Sequence, residues 1–282
     1  MTVPQVGVHV SIAGSLDLAF DRAQEIGATT FQMFTRNPNQ WAFKPIPSEV
    51  ASEFRSKRKR SGFREIVAHM PYLPNLASPE PGIQKASRKS LQDEVKRCDE
   101  LGVDYLVVHL GSHMGRGAMV GVRNITGALN RAHSGSNGET IILLENMAGQ
   151  KNCVGARFEE LKLILDGVKS EDRTAVCLDS CHAYAAGFDL SSPDAVESTM
   201  SLFETCVGLD RLKVVHLNDS KGSLGSNLDR HEDIGRGKIG LVGMKAILQY
   251  GGMRNRPLIM ETPFENTNAM KRSIAIVRKL MG

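Results

Sequence analysis

Eight short apolar runs recur along the chain, and seven of them end on a histidine or a carboxylate. They are Val6–His9, Ile66–His69, Leu106–His109, Ile141–Glu145, Ala175–Asp179, Leu212–His216 and Leu258–Glu261; the eighth, Thr30–Thr35, closes on a hydroxyl. Runs this short and this rich in Val and Ile read as buried parallel strands. Amphipathic stretches of helical length lie between them: Ser15–Ile26, Ile83–Leu101 stopped by Gly102, Phe158–Leu165 stopped by Gly167, Pro193–Val207 and Ala269–Leu280. Strand and helix alternate eight times, which predicts an α/β protein with a parallel sheet closed into a (β/α)8 TIM barrel. A barrel of this kind takes ~250 residues. Residues 1–282 therefore read as one TIM-barrel domain, with no linker or composition break to divide them.

Composition excludes other classes. Hydrophobic residues at 41% and charged residues at 23% describe a globular chain with a sizeable core. No apolar run approaches the ~18 residues of a membrane span, and the N-terminus lacks the regions of a signal peptide, so the expected location is cytoplasmic with no membrane partner. Five cysteines in no metal-finger spacing read as reduced thiols, with no ligand role expected for Cys177 or Cys181. A net charge of +4 is compatible with a polyanionic partner without requiring one. The basic run Arg55–Arg60 reads as a solvated helix face.

A lone histidine at the end of an apolar run is usually a hydrogen-bonded structural residue. Seven ionisable strand ends brought to one barrel mouth are a different case, because unpaired charges there would each cost several kcal/mol. They must neutralise one another or bind metal. His182 lies three residues past Asp179, and Asp229 and His231 share an i, i+2 spacing that points both side chains the same way in an extended loop. Imidazole with carboxylate favours zinc, with manganese next, over calcium or magnesium.

At these residues the chain resembles the endonuclease IV family of apurinic/apyrimidinic endonucleases. The matching segments are GVHVS at 7–11, HLGSH at 109–113, ENMAGQ at 145–150, DSCHAYAAG at 179–187, HLNDSK at 216–221, DRHE at 229–232 and the pair Glu261–Thr262. The resemblance implies a zinc endonuclease that cuts DNA 5′ to abasic sites, leaving a 3′-hydroxyl and a 5′-deoxyribose phosphate. It implies three zinc ions: one on His69 and His109, a second on Asp179, His216 and Glu261, Glu145 bridging the two, and a third on His182, Asp229 and His231. Glu145 and Glu261 are its implied catalytic carboxylates. Ten ligand bonds then fall about two short of the twelve that three tetrahedral zincs want, as an open catalytic cluster should. Three divalent ions would turn four carboxylates into a site of net charge about +2, which attracts a phosphodiester.

The resemblance also implies double-stranded DNA with abasic sites as the partner of a monomer. The loops Thr35–Trp41 and Tyr72–Asn75 would enter the minor groove, with Tyr72 and Leu73 filling the gap left by the lost base; the other reading of that pair is loop packing. Where the bacterial pattern inserts an arginine, this chain has Asn39, with Arg36 nearby; either Arg36 substitutes or the chain has no arginine wedge. Lys221, Arg230, Arg236 and Lys238 are expected phosphate contacts. Gly235–Gly240 reads as a tight turn, with a phosphate cradle as the weaker reading. His9 and His113 either orient ligands or pack, and His133, in a polar stretch, is expected to be exposed. Two other classes compete: a sugar isomerase or epimerase of the xylose isomerase-like barrels, and a non-catalytic DNA- or metal-binding barrel.

Overall fold

The computed structural model describes residues 5–253, 255–263 and 266–282. Eight parallel strands make one sheet: β1 (Val6–Val8), β2 (Gln32–Phe34), β3 (Val67–His69), β4 (Tyr105–Val108), β5 (Ile141–Glu145), β6 (Thr174–Asp179), β7 (Leu212–His216) and β10 (Leu258–Met260). A short antiparallel pair, β8 (Asp219–Ser220) and β9 (His231–Glu232), sits in the loop after β7. The sheet order β1-β10-β7-β6-β5-β4-β3-β2 keeps sequence neighbours adjacent once that pair is set aside. Its two ends meet, since His9 bridges Gln32 and the Val10 N–H donates to the Gln32 carbonyl at 2.8 Å. A Cβ on Gly7 would lie 2.1 Å from the Thr30 carbonyl oxygen, so only glycine lets β1 close this seam. The expected barrel is present.

Helices α1 (Leu18–Glu25), α2 (Ser48–Ser61), α3 (Pro81–Leu101), α4 (Ala118–Ser134), α5 (Phe158–Gly167), α7 (Pro193–Cys206), α8 (Gly240–Gln249) and α9 (Thr267–Met281) alternate with the strands; α6 (Ser180–Ala185) is a short insertion directly after β6. Local chemistry sets their ends. Pro193 opens α7 behind Ser192, whose Oγ accepts the Ala195 N–H at 3.3 Å, and Gly102 stops α3 in the left-handed region at φ 71. The main core packs helix side chains such as Phe20, Phe54, Leu91, Phe158 and Phe203 against the sheet's outer face. The basic run on α2 is largely engaged at home: Lys57 pairs with Asp17 and Asp21, Arg58 with Asp104, and Arg60 with Glu53. His133 corrects the expectation of exposure. It is buried on α4, with Nε2 2.8 Å from Thr174 Oγ1.

A second, smaller cluster fills the barrel: Val67, Tyr105, Val107, Leu143, Ala175, Cys177, Val214 and Ile259. Strand side chains alternate in direction, so the residue two positions on faces the same interior one layer higher. Two residues after Val67, Val107, Leu143, Cys177, Val214 and Ile259 come His69, His109, Glu145, Asp179, His216 and Glu261. The same alternation that packs the barrel with apolar groups thus stacks the polar ones at its C-terminal mouth, where barrels of this type carry their chemistry.

Candidate metal centre

Glu145, fully buried, stands at the middle of the mouth with its oxygens facing different partners. Oε2 lies 3.2 Å from His69 Nε2 and 3.0 Å from His109 Nε2; Oε1 lies 2.9 Å from His216 Nδ1. His216 Nδ1 is also 3.1 Å from Glu261 Oε2 and 3.9 Å from Asp179 Oδ2. Asp179 divides its work: Oδ1 accepts the His182 N–H at 2.7 Å and so caps α6, while Oδ2 faces the cluster. That cap turns His182 inward, with Nε2 3.2 Å from Asp229 Oδ1. Asp229 and His231 arrive from the loop carrying β9, and His231 Nε2 is 3.5 Å from Asp229 Oδ1 and 3.6 Å from Asp179 Oδ2.

Four of the five imidazoles are aimed by a bond from the nitrogen turned away from the centre. The Nδ1 of His69 contacts the Met70 carbonyl at 2.7 Å, that of His182 the Asn146 carbonyl at 2.9 Å, and that of His231 the Glu261 carbonyl at 3.1 Å. His216 is reversed, with Nε2 2.8 Å from Gln32 Oε1. A carbonyl only accepts, so each anchored nitrogen carries a proton and the other nitrogen is the one presented to the cluster. The carboxylates are held similarly. Gln32 Nε2 donates to Glu261 Oε1 at 2.6 Å, and Asn218 Nδ2 donates to Asp179 Oδ2 at 2.7 Å while its Oδ1 accepts the Glu261 N–H at 2.8 Å. Asn146 brackets the Asp179 backbone, accepting its N–H at 2.7 Å and donating to its carbonyl at 3.1 Å. Gln32, Asn146 and Asn218 are uncharged, so nothing in the sequence marks them as ionisable strand ends, although Asn146 and Asn218 lie within the ENMAGQ and HLNDSK segments.

Charge follows contact. Burial opposes ionisation of Glu145, yet the His109 and His216 imidazoles outweigh it and hold the carboxyl well below the usual carboxylate range. Glu261 is likewise held well below that range, burial being overcome by His216 and His9. Burial disfavours the imidazolium of His182, but Asp179 and Asp229 raise it well above the ordinary histidine value. His216 rises in the same way, burial being outweighed by Cys177, Glu261 and Glu145. These protons hold the carboxylates together, and divalent cations binding the same atoms would displace them.

Donor atoms gather within metal-binding reach in three groups made of imidazole and carboxylate alone: His69, His109 and Glu145; Glu145, Asp179, His216 and Glu261; and His182, Asp229 and His231. Imidazole nitrogen with carboxylate oxygen is a zinc-type donor set. His231 Nε2 supplies a direct test of fit: it is buried without a hydrogen-bond partner, and a cation would satisfy it. Cys181 also lies in reach of Asp179 and His231, but burial pushes its thiol up to about 12 and the sulfur leans on the Arg230 carbonyl at 3.6 Å. It ties the loop. Above the donors is a cleft of ≈190 Å³ lined by His69, Tyr72, His109, His182, Asp229, His231 and Glu261.

Around the cleft, Tyr72 and Leu73 are 60% and 40% exposed, and the Tyr72 ring lies 6.3 Å from that of His69 and 6.4 Å from that of His109. Asn39, Lys221, Arg230 and Arg236 are exposed. Arg36 is not, which corrects its expected role as an inserted group. Only 6% exposed, it pairs with buried Glu94, donates to Ser90 Oγ at 2.8 Å and lies over the Phe43 ring. Its guanidinium anchors the loop from beneath. His9 sits where a ligand-orienting residue would, Nδ1 being 3.1 Å from Gln32 Nε2 and 3.8 Å from Glu261 Oε1. His113 Nδ1 accepts the Gly117 N–H at 3.0 Å within its own loop.

Barrel and mouth together define a metal-site protein of the xylose isomerase-like TIM barrels, and the chain matches that family over residues 20–280. It is 46% identical over 98% of its length, and 99% of the relative's, to the Methanoculleus marisnigri protein named "Probable endonuclease 4". Its structure superposes on endonuclease IV from Thermus thermophilus with a TM-score of 0.88, 35% identity and 99% of each chain covered. A D-tagatose 3-epimerase-like protein, at TM-score 0.74 and 20% identity over 98% of this chain and 97% of its own, shares the fold alone. The chain belongs to the endonuclease IV family.

Proposed function

We propose that this protein is a DNA-repair endonuclease that hydrolyses the phosphodiester 5′ to abasic sites, leaving a 3′-hydroxyl and a 5′-deoxyribose phosphate in base excision repair. The observation that carries the reading is the sharing of Glu145, whose two oxygens face separate donor groups while a third group closes the same cleft. A mononuclear sugar epimerase has no use for the His182, Asp229 and His231 group.

Three zinc ions would be held by His69, His109 and Glu145, by Glu145, Asp179, His216 and Glu261, and by His182, Asp229 and His231. Bound zinc supplies Lewis-acid polarisation of phosphoryl oxygens and a water acidic enough to attack near neutral pH. The chain's own residues do the rest. Four carboxylates balance most of the metal charge and leave a residual positive site for a phosphodiester. Glu145 and Glu261, both held ionised, would act as the catalytic carboxylates among the donors, and Gln32 with His9 steadies Glu261. Tyr72 and Leu73 stand exposed beside the cleft and would fill the gap in the base stack. Lys221, Arg230 and Arg236 would take backbone phosphates, and Asn39 would reach the minor groove. We take the protein to act as a cytoplasmic monomer; free cysteines and the lack, among described residues, of any helix long and apolar enough to cross a membrane are compatible with that.

Incubation with an abasic-site duplex and, separately, with ketose sugars tests the class. Nicking of the duplex beside the abasic site with no sugar turnover supports the proposal, and sugar turnover without nicking overturns it.

A further inference from the structure

Asp219 is a fully buried carboxylate with no part in the donor groups. Its two oxygens accept from backbone N–H groups: Ser220 at 2.8 Å, Gly235, Gly237 and Ile239 at 3.0 Å each, and Gly240 at 3.2 Å. A ring of convergent amides is the usual cradle for a phosphate. Here the glycine-rich Gly235–Gly240 turn has that form, and the anion inside it is the chain's own. The fit is close, because a Cβ on Gly237 would lie 2.4 Å from Asp219 Oδ1 and 2.5 Å from the Ser220 carbonyl oxygen.

The same residue holds the other side of the loop. Asp219 pairs with Glu232 and Ser220 with His231 across the β8–β9 ladder, and the Lys221 N–H donates to the Arg230 carbonyl at 2.9 Å. Asp219 therefore holds β9, before the turn, through strand pairing and holds the turn itself through its side chain. With the amides of residues 235, 237 and 239 pointing in, the side chains of Arg236 and Lys238 stand exposed between them.

We propose that Asp219 is a positioning residue for the group formed by His182, Asp229 and His231: its negative charge gathers the amides of residues 235–240 and so fixes the strand that delivers His231. The proposal rests on the reading that this group holds a third zinc. An uncharged side chain cannot do the same, since an amide keeps one acceptor oxygen for five donors and adds two donors of its own. Loss of the charge frees the loop, and the third ion goes with it while the other two stay.

The experiment compares Asp219→Asn with wild type by elemental analysis of zinc and by amide hydrogen exchange. The expected result is a fall from about three ions per chain to about two, with exchange across residues 235–240 faster by roughly tenfold or more. Full metal content with unchanged exchange in Asp219→Asn would overturn the proposal. Wild-type protein with fewer than three ions would instead count against the zinc reading, and the exchange arm would still decide on Asp219. If Asp219→Asn fails to fold, Gly237→Ala decides, with the same two changes expected and neither seen if the proposal is wrong. Asp233→Asn removes a carboxylate that faces Arg236 at 3.5 Å on the same loop. It should keep all its metal; equal loss there would assign the effect to general loop charge and overturn the role of Asp219.

Discussion

His216 Nε2 lies 2.8 Å from Gln32 Oε1, and that contact turns Nδ1 toward Glu145 and Glu261. The same amide donates to Glu261 at 2.6 Å, so one uncharged side chain sets both an imidazole's tautomer and a carboxylate's position. Gln32→Leu should fold, because the site is buried and the shapes are similar. It should bind metal roughly 10–100-fold more weakly and lose cleavage by a similar factor. Competition with a chelator measures the first and single-turnover incision the second. Unchanged metal affinity would mean that Gln32 only fills space.

Arg36→Ala should damage stability more than DNA recognition. It removes the ion-pair partner of the buried Glu94 carboxylate, leaving it the Thr35 hydroxyl at 2.6 Å, and so costs up to about 3–5 kcal/mol. Denaturant unfolding should show the loss, while affinity of the folded variant for abasic duplex changes little. A variant of wild-type stability that binds DNA poorly would restore Arg36 as a contact.

Tyr72→Ala tests lesion recognition. Base–aromatic stacking is worth roughly 1–3 kcal/mol, so binding to abasic duplex should weaken about tenfold or more. Metal content and affinity for intact duplex should hold, because they depend on other residues. Titrations at one fixed salt concentration with both duplexes decide it; equal losses would mean the ring packs the loop.

His133 makes an acid-sensitive contribution to stability. Burial, then Arg173, holds its imidazole down to about 4, against an ordinary value of 6.5. The neutral form favours folding, so its contribution is complete above pH 6.5 and is lost as pH falls toward about 4. Urea unfolding of metal-free protein at several pH values in this window should show wild type losing about 1–3 kcal/mol more than His133→Gln. Parallel curves would contradict this.

The barrel and the six strand-end donors were legible in the sequence for one physical reason. An ionisable residue closing an apolar strand cannot be buried alone, so seven of them announce a common mouth. His182, Asp229 and His231 lie beyond the barrel strands and were marked only by their spacing and by the family resemblance. What was not legible depended on partners far away in the chain. Arg36 looked free because Glu94 is 58 residues on, and His133 looked exposed because Thr174 is 41 residues on. Gln32 was hidden because it is uncharged and sits inside the run rather than at its end, Thr35. Asp219 lay in a recognised motif, yet nothing local shows that five backbone amides fold around it. α6 is only six residues long, too short to leave a periodic signature; its start is written in the Asp179 cap alone.

The most direct test of the account combines zinc analysis with incision of an abasic duplex by the same preparation. Active protein should carry about three zinc ions per chain and cut without added magnesium, and Glu261→Gln should keep its fold while losing most of the cleavage. One zinc or fewer in fully active protein, or near wild-type cleavage by Glu261→Gln with full metal content, would contradict it.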